Sequence, residues 1–129
     1  MADEVKLNIK PVSVNPVVDS CSDTVYIFQV CDEADEEVDL RGYTAKMQLR
    51  PFPRSRKVLD ELTTENGRLD IRGANITVRF PADVTAKFKF ERAVYDLVIL
   101  SQGGLKYRVA QGEVEFVPWV TEWTTDTTI

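Results

Sequence analysis

The side chains of this sequence that could do chemistry are two cysteines, an acidic run and a basic cluster, and no histidine accompanies them. Without histidine there is no Ser-His-Asp or Cys-His centre, no facial iron triad and no ordinary base titrating near neutral pH. Carboxylate or lysine chemistry remains open. The carboxylates, however, sit mainly in turn-like segments rather than in recognisable facing pairs, so no catalytic residue and no enzymatic role are expected. Cys21 and Cys31 flank an extended segment, Asp23 to Val30. At about 3.3 Å per residue its ends lie far beyond the roughly 7 Å Cα separation that a disulfide tolerates. Two free thiols follow, as in a reducing compartment, and two cysteines without histidine make a poor zinc site. No metal or other cofactor is expected.

The acidic run, Asp32 to Asp39, lacks the glycine and ligand spacing of an EF-hand loop and reads as a solvated hairpin connection. Arg50, Arg54, Arg56 and Lys57 cluster around Pro51 and Pro53 with only Phe52 as an interleaved aromatic. The net charge is −5, and nucleic acid or anionic lipid needs a broad basic face. A solvated loop or a protein contact, rather than nucleic acid, is therefore the expectation for the basic loop. Asp35, Glu36 and Glu37 on one loop and Arg54, Arg56 and Lys57 on the other are candidate partner-contact residues that could pair between adjacent copies.

What must position these loops is a β-rich scaffold. The chain has 129 residues, 43% of them hydrophobic and 29% charged, values of one soluble globular domain able to bury its own core. No apolar run approaches the roughly 18 residues of a membrane helix. Met-Ala-Asp-Glu at the start has no basic-then-apolar pattern, so a secretory signal is not expected and folding in the cytosol is.

Strand signals recur at short intervals and helical periodicity is nearly missing. Val5, Leu7 and Ile9 alternate with polar residues, as do Val12 and Val14, while Pro11 and Pro16 place this segment at a sheet edge or a switch between sheets. Thr24 to Cys31 is apolar on both faces and reads as a central strand. Tyr43 to Arg50 alternates strictly, as a half-buried strand does. Val58 to Leu62 is a short strand candidate, and Asn66-Gly67 is a turn that folds Leu69 to Ile71 back on a neighbour. Ile76, Val78 and Phe80 share a face, and Pro81 to Ala86 offers one helical turn at most. Gly103-Gly104 closes a hairpin into Leu105 to Phe116, where Gly112 marks a bulge or bend.

Ala93 to Leu100 is the most apolar strand-like run, with Tyr95 near its start. A tyrosine there, its hydroxyl tied to upstream backbone, is a device of immunoglobulin-like sandwiches. Tyr95 is thus the fold-defining residue. The expected architecture is an all-β, immunoglobulin-like antiparallel sandwich of about seven to nine strands over residues 1–120. Residues 121–129 form a threonine-rich tail, flexible or ordered by a partner. Trp119 is expected to cover the end of the core and Trp123 is hard to bury locally; both tryptophans are candidate partner-interface residues.

The order Phe28-Gln-Val-Cys-Asp, Val38-Asp-Leu-Arg-Gly-Tyr-Thr-Ala45, Leu62-Thr-Thr-Glu-Asn-Gly67, Ile76-Thr-Val, Ala93-Val-Tyr-Asp-Leu97 and Gly112-Glu-Val-Glu-Phe116 resembles small virion proteins of tailed bacteriophages. It is similar in particular to the amino-terminal sandwich of baseplate upper proteins and tail-fibre adaptors. The resemblance spans roughly Thr24 to Thr121 and rests on pattern and turn spacing. It implies a structural protein made in the host cytoplasm and located in the virion. Its implied partners are other tail, baseplate, fibre or capsid subunits, in multiple copies, without nucleic acid or membrane. The chain ends soon after the sandwich, which leaves a head-decoration protein as an alternative. A glycan-binding module, favoured by exposed aromatics on a sheet face, is a further one. A carboxylate enzyme would need two carboxyl groups about 5 to 10 Å apart in one cleft.

Overall fold

The computed structural model describes residues 7–123, which fold into two facing sheets joined by loops and one helical turn. The strands are β1 (Val12–Ser13), β2 (Val17–Asp19), β3 (Thr24–Gln29), β4 (Thr44–Arg50), β5 (Asp60–Thr63), β6 (Leu69–Arg72), β7 (Asn75–Phe80), β8 (Arg92–Leu100) and β9 (Lys106–Val117). Helix α1 (Ala82–Thr85) precedes β8. The larger sheet runs β1-β9-β8-β4-β5 with β2 also on β9, and the smaller runs β3-β7-β6. This is the expected all-β sandwich with immunoglobulin-like strand order. Within it, β1 and β2 run parallel to β9.

Side-chain alternation builds the core. Ala45, Met47 and Leu49 of β4, Ala93, Tyr95, Leu97 and Ile99 of β8, and Ile76, Val78 and Phe80 of β7 all point between the sheets and are buried. Each fully buried leucine or isoleucine contributes about 2 kcal/mol by leaving water, and the void between the sheets measures only about 10 Å³. On β9 the apolar parity switches from Val109 to Ala110, and there the pairing with β8 shifts register at Leu97/Val98. The bulge expected at Gly112 lies here instead.

Gly112 has a different task. The link between β1 and β2 crosses its Cα so closely that a Cβ would stand 2.1 Å from the Val14 carbonyl oxygen. That carbonyl accepts the Tyr95 hydroxyl at 2.6 Å, so the tyrosine is tied to upstream backbone, 81 residues away. Burial pushes the Tyr95 hydroxyl from 10.0 up to about 12. The folded state thus holds the neutral phenol more firmly than the unfolded chain does. The stability this gives is complete below pH 10 and is lost as pH rises from 10 to about 12. Burial raises Tyr26 in the same direction. Tyr95→Phe is expected to lower stability by about 1 kcal/mol at neutral pH. It should also reduce the loss above pH 10, which urea titrations at pH 7, 10 and 11 would measure.

The prolines act as read. Ile9 bridges Asp32 beside the smaller sheet, and after Pro11 the chain joins β9 of the larger one. Val5 lies outside the described residues. Three further readings change. The short strand expected over Val58 to Leu62 begins at Asp60. Asn66-Gly67 does form a turn, with Asn66 and Thr63 bonding each other's backbone amides. The chain nevertheless passes to the other sheet, where β6 pairs with β7 rather than β5. And Thr24 to Gln29 is an edge strand, not a central one.

A largely but not fully buried ion pair closes that sheet-to-sheet passage. Arg68 meets Asp60 through both nitrogens, at 2.7 and 3.2 Å, and its Nε donates to the Arg79 carbonyl at 2.9 Å. Both side chains are only 12–13% exposed, and the guanidinium lies over the Phe80 ring.

Candidate interaction surfaces

Strand β4 links the two charged loops. One precedes it, the other follows it, and its seven residues hold them about 20 Å apart at opposite ends of the sandwich. They cannot pair within one chain.

The acidic end is a stitched hairpin. Asp32 N–H donates to the Glu36 carbonyl (2.9 Å), and the Asp32 carboxylate accepts the amides of Ala34 (2.8 Å) and Glu36 (3.0 Å). Asp35 takes the left-handed conformation at the tip, φ 61°. It pairs with Lys10 at 2.9 Å, and that bond with the adjacent charge raises the Lys10 pKa. Glu37 accepts a hydrogen bond from the Gln29 amide, and Glu36 is exposed. Asp39 binds Arg41 at 2.8 Å, which lowers its pKa through that hydrogen bond. Among the described residues, no group of three or more acidic, cysteine or histidine side chains is arranged to hold a metal ion. Cys21 and Cys31 are unpaired, at opposite ends of β3.

The opposite end is basic and aromatic. Arg50 turns onto the outer sheet face, donating to the Ser55 carbonyl and, at 2.6 Å, to Gln48 Oε1. It thereby folds the 51–59 loop and leaves Arg54, Arg56 and Lys57 exposed. None of these three makes an ion pair or side-chain hydrogen bond within the described residues. Phe52 is exposed on the same loop.

The tryptophans extend this end. Trp119 does not cover the core; it is 42% exposed and its Nε1–H donates to Asp19 Oδ1 at 2.9 Å, fixing the chain leaving β9 to the end of β2. Phe88 and Phe90 plug the core end instead, stacked on each other and edge-on to Phe116. Wholly apolar rings displace an indole whose N–H seeks an acceptor. Trp123 is 85% exposed. The remainder of the threonine-rich tail, residues 124–129, lies outside the described residues.

The outer face of the larger sheet forms an open polar hollow of about 470 Å³, lined by Gln48, Arg50, Asp96, Arg108, Gln111 and Glu113. Asp96 and Glu113 stand on neighbouring strands two residues out of register, a diagonal of roughly 7 Å between Cβ atoms. Both are exposed on the open sheet rather than set in a closed cleft. The exposed aromatics Phe52, Trp119 and Trp123 follow strands that finish at the basic end and do not line this face.

No signal in the sequence marks the edge position of β3 or the Asp60–Arg68 clasp. No helix among the described residues is long and apolar enough to cross a membrane. Compared with known proteins, the chain matches no family model and no curated sequence.

Proposed function

We propose that this protein is a bacteriophage virion structural protein, acting through protein–protein contacts as a tail, baseplate or fibre-attachment adaptor in several copies per particle. The observation that supports this reading best is the polar build of the sandwich. One end carries an acidic hairpin, and the other carries uncompensated Arg54, Arg56 and Lys57 beside the exposed Phe52, Trp119 and Trp123. Copies can meet end to end through such surfaces and still present a sheet face to a third subunit. Exposed tryptophans are the residue type that interface centres recruit.

Mass spectrometry of gradient-purified virions should find the chain in stoichiometric amounts; its absence from the particles overturns the proposal. The contact between opposite ends has its own test. Arg54→Glu with Arg56→Glu should weaken assembly at low salt by about tenfold and flatten its salt dependence. An unchanged salt profile would assign the basic loop no part in it. Position on the particle separates the adaptor from the head-decoration alternative.

A further inference from the structure

The turn that carries the chain from β5 to β6 holds a labile amide. Asn66 precedes Gly67. An asparagine before glycine is open to attack by the next backbone nitrogen on its side-chain carbonyl carbon, because glycine puts no side chain in the way. A Cβ built at Gly67 has no atom within 4 Å, and both residues are exposed. Gly67 N–H makes no hydrogen bond among the described residues, so base in the solvent reaches it. The other asparagines lack this combination. Asn8 and Asn75 precede Ile9 and Ile76, whose branched side chains crowd the nitrogen. Asn15 precedes Pro16, which has no N–H.

Both polar atoms of the Asn66 side chain are engaged in the folded turn. Oδ1 accepts Thr63 N–H and Arg68 N–H, each at 3.0 Å, and Nδ2 donates to the Glu61 carbonyl at 3.1 Å. The Asn66 backbone N–H donates to Thr63 Oγ1 at 2.9 Å. These bonds fix the amide in place. Closing a ring from Cγ onto Gly67 N swings Oδ1 and Nδ2 away from their partners, so ring closure waits for the turn to open.

We propose that Asn66 is a site of spontaneous deamidation, gated by opening of this turn, and that its isoaspartyl product loosens the passage between the sheets. Gly67 N gives its proton to solvent base and bonds to Asn66 Cγ. The Cγ–Nδ2 bond breaks, and Nδ2 leaves as ammonia with a proton from water. One water then opens the resulting succinimide. Hydrolysis at Cγ gives aspartate, whereas hydrolysis at the Asn66 backbone carbonyl carbon gives isoaspartate, whose main chain runs through Cβ and Cγ. No oxidant or reductant takes part.

The two products differ in what they keep. Aspartate still offers an oxygen to the Thr63 and Arg68 amides and loses only the donor to Glu61. Isoaspartate adds Cβ to the main chain two residues before Arg68. That guanidinium spans Asp60 of β5 and the Arg79 carbonyl of β7, and a lengthened link draws it out of this clasp. Ammonia is lost to solvent, so the change runs one way.

Peptide mass spectrometry of the full chain held at mildly alkaline pH should find amide-to-acid conversion at Asn66 and at no other asparagine. Conversion should be at least about tenfold slower in the folded chain than in urea, because only the opened fraction reacts. Thr63→Val removes the hydroxyl acceptor and keeps the side-chain shape. It should raise the folded-state rate severalfold and leave the rate in urea unchanged, with circular dichroism showing native folding. The isoaspartyl form, separated by ion-exchange chromatography, should unfold at lower urea than Asn66→Asp. An Asn66 that stays intact in urea overturns the site, and equal rates in folded and unfolded chain overturn the gate. An isoaspartyl form as stable as Asn66→Asp overturns the effect on the passage. None of these outcomes bears on the virion reading.

Discussion

Gly112→Ala should lower the unfolding free energy by about 3 kcal/mol, near the top of the range for forcing atoms into a packed site. The new Cβ would stand 2.1 Å from Val14 O and 2.7 Å from Asn15 Oδ1. The first of these is backbone, so the β1–β2 link must lift off β9. Two bonds go with it: the Tyr95 hydroxyl to Val14 O (2.6 Å) and Glu113 N–H to Asn15 Oδ1 (2.9 Å). At this chain length the loss corresponds to roughly 10 °C in Tm, measurable by calorimetry. Gly104→Ala is the control for glycine substitution as such: no atom lies within 4 Å of its added Cβ, so it carries only the strain of its left-handed φ of 93°. A Gly112→Ala variant no less stable than that control would remove the close approach from the account.

Asp60→Ala should be nearly as damaging, about 3 kcal/mol, because it strands the Arg68 guanidinium between the sheets without its carboxylate. Arg68→Ala should cost a similar amount by leaving Asp60 unpaired and removing the clasp to the Arg79 carbonyl. Replacing both, Asp60→Leu with Arg68→Met, should recover much of the loss, since a buried pair is weak relative to apolar residues of similar size. Equilibrium urea unfolding of the three variants gives the coupling. Additive losses would mean that the pair acts as two independent surface groups.

The sandwich was legible because most of its strands are wet on one face and dry on the other. Strict alternation located β4 and β7, and Tyr95 pointed to the tie between β8 and upstream backbone. Three features are hidden from the sequence for physical reasons. The bulge on β9 is written as a parity switch, Val109 then Ala110, and not as the glycine two positions on. Strand β3 reads as central because Val25 and Ile27 are apolar, although both stand exposed on the outer face of the smaller sheet. The charged loops were legible from composition. Their separation to opposite ends required knowing that β4 runs the length of the sandwich between them. The Asp60–Arg68 clasp joins residues across a sheet change that Asn66-Gly67, read as a plain hairpin turn, concealed.

Cryo-electron microscopy of tailed-phage particles assembled in cells that make this chain decides whether it has the proposed virion role. Ordered, symmetry-related copies of the sandwich are expected on the tail, baseplate or fibre junction, in contact with neighbouring subunits through the acidic and basic ends. Particles reconstructed to side-chain detail with no density for the sandwich would contradict it.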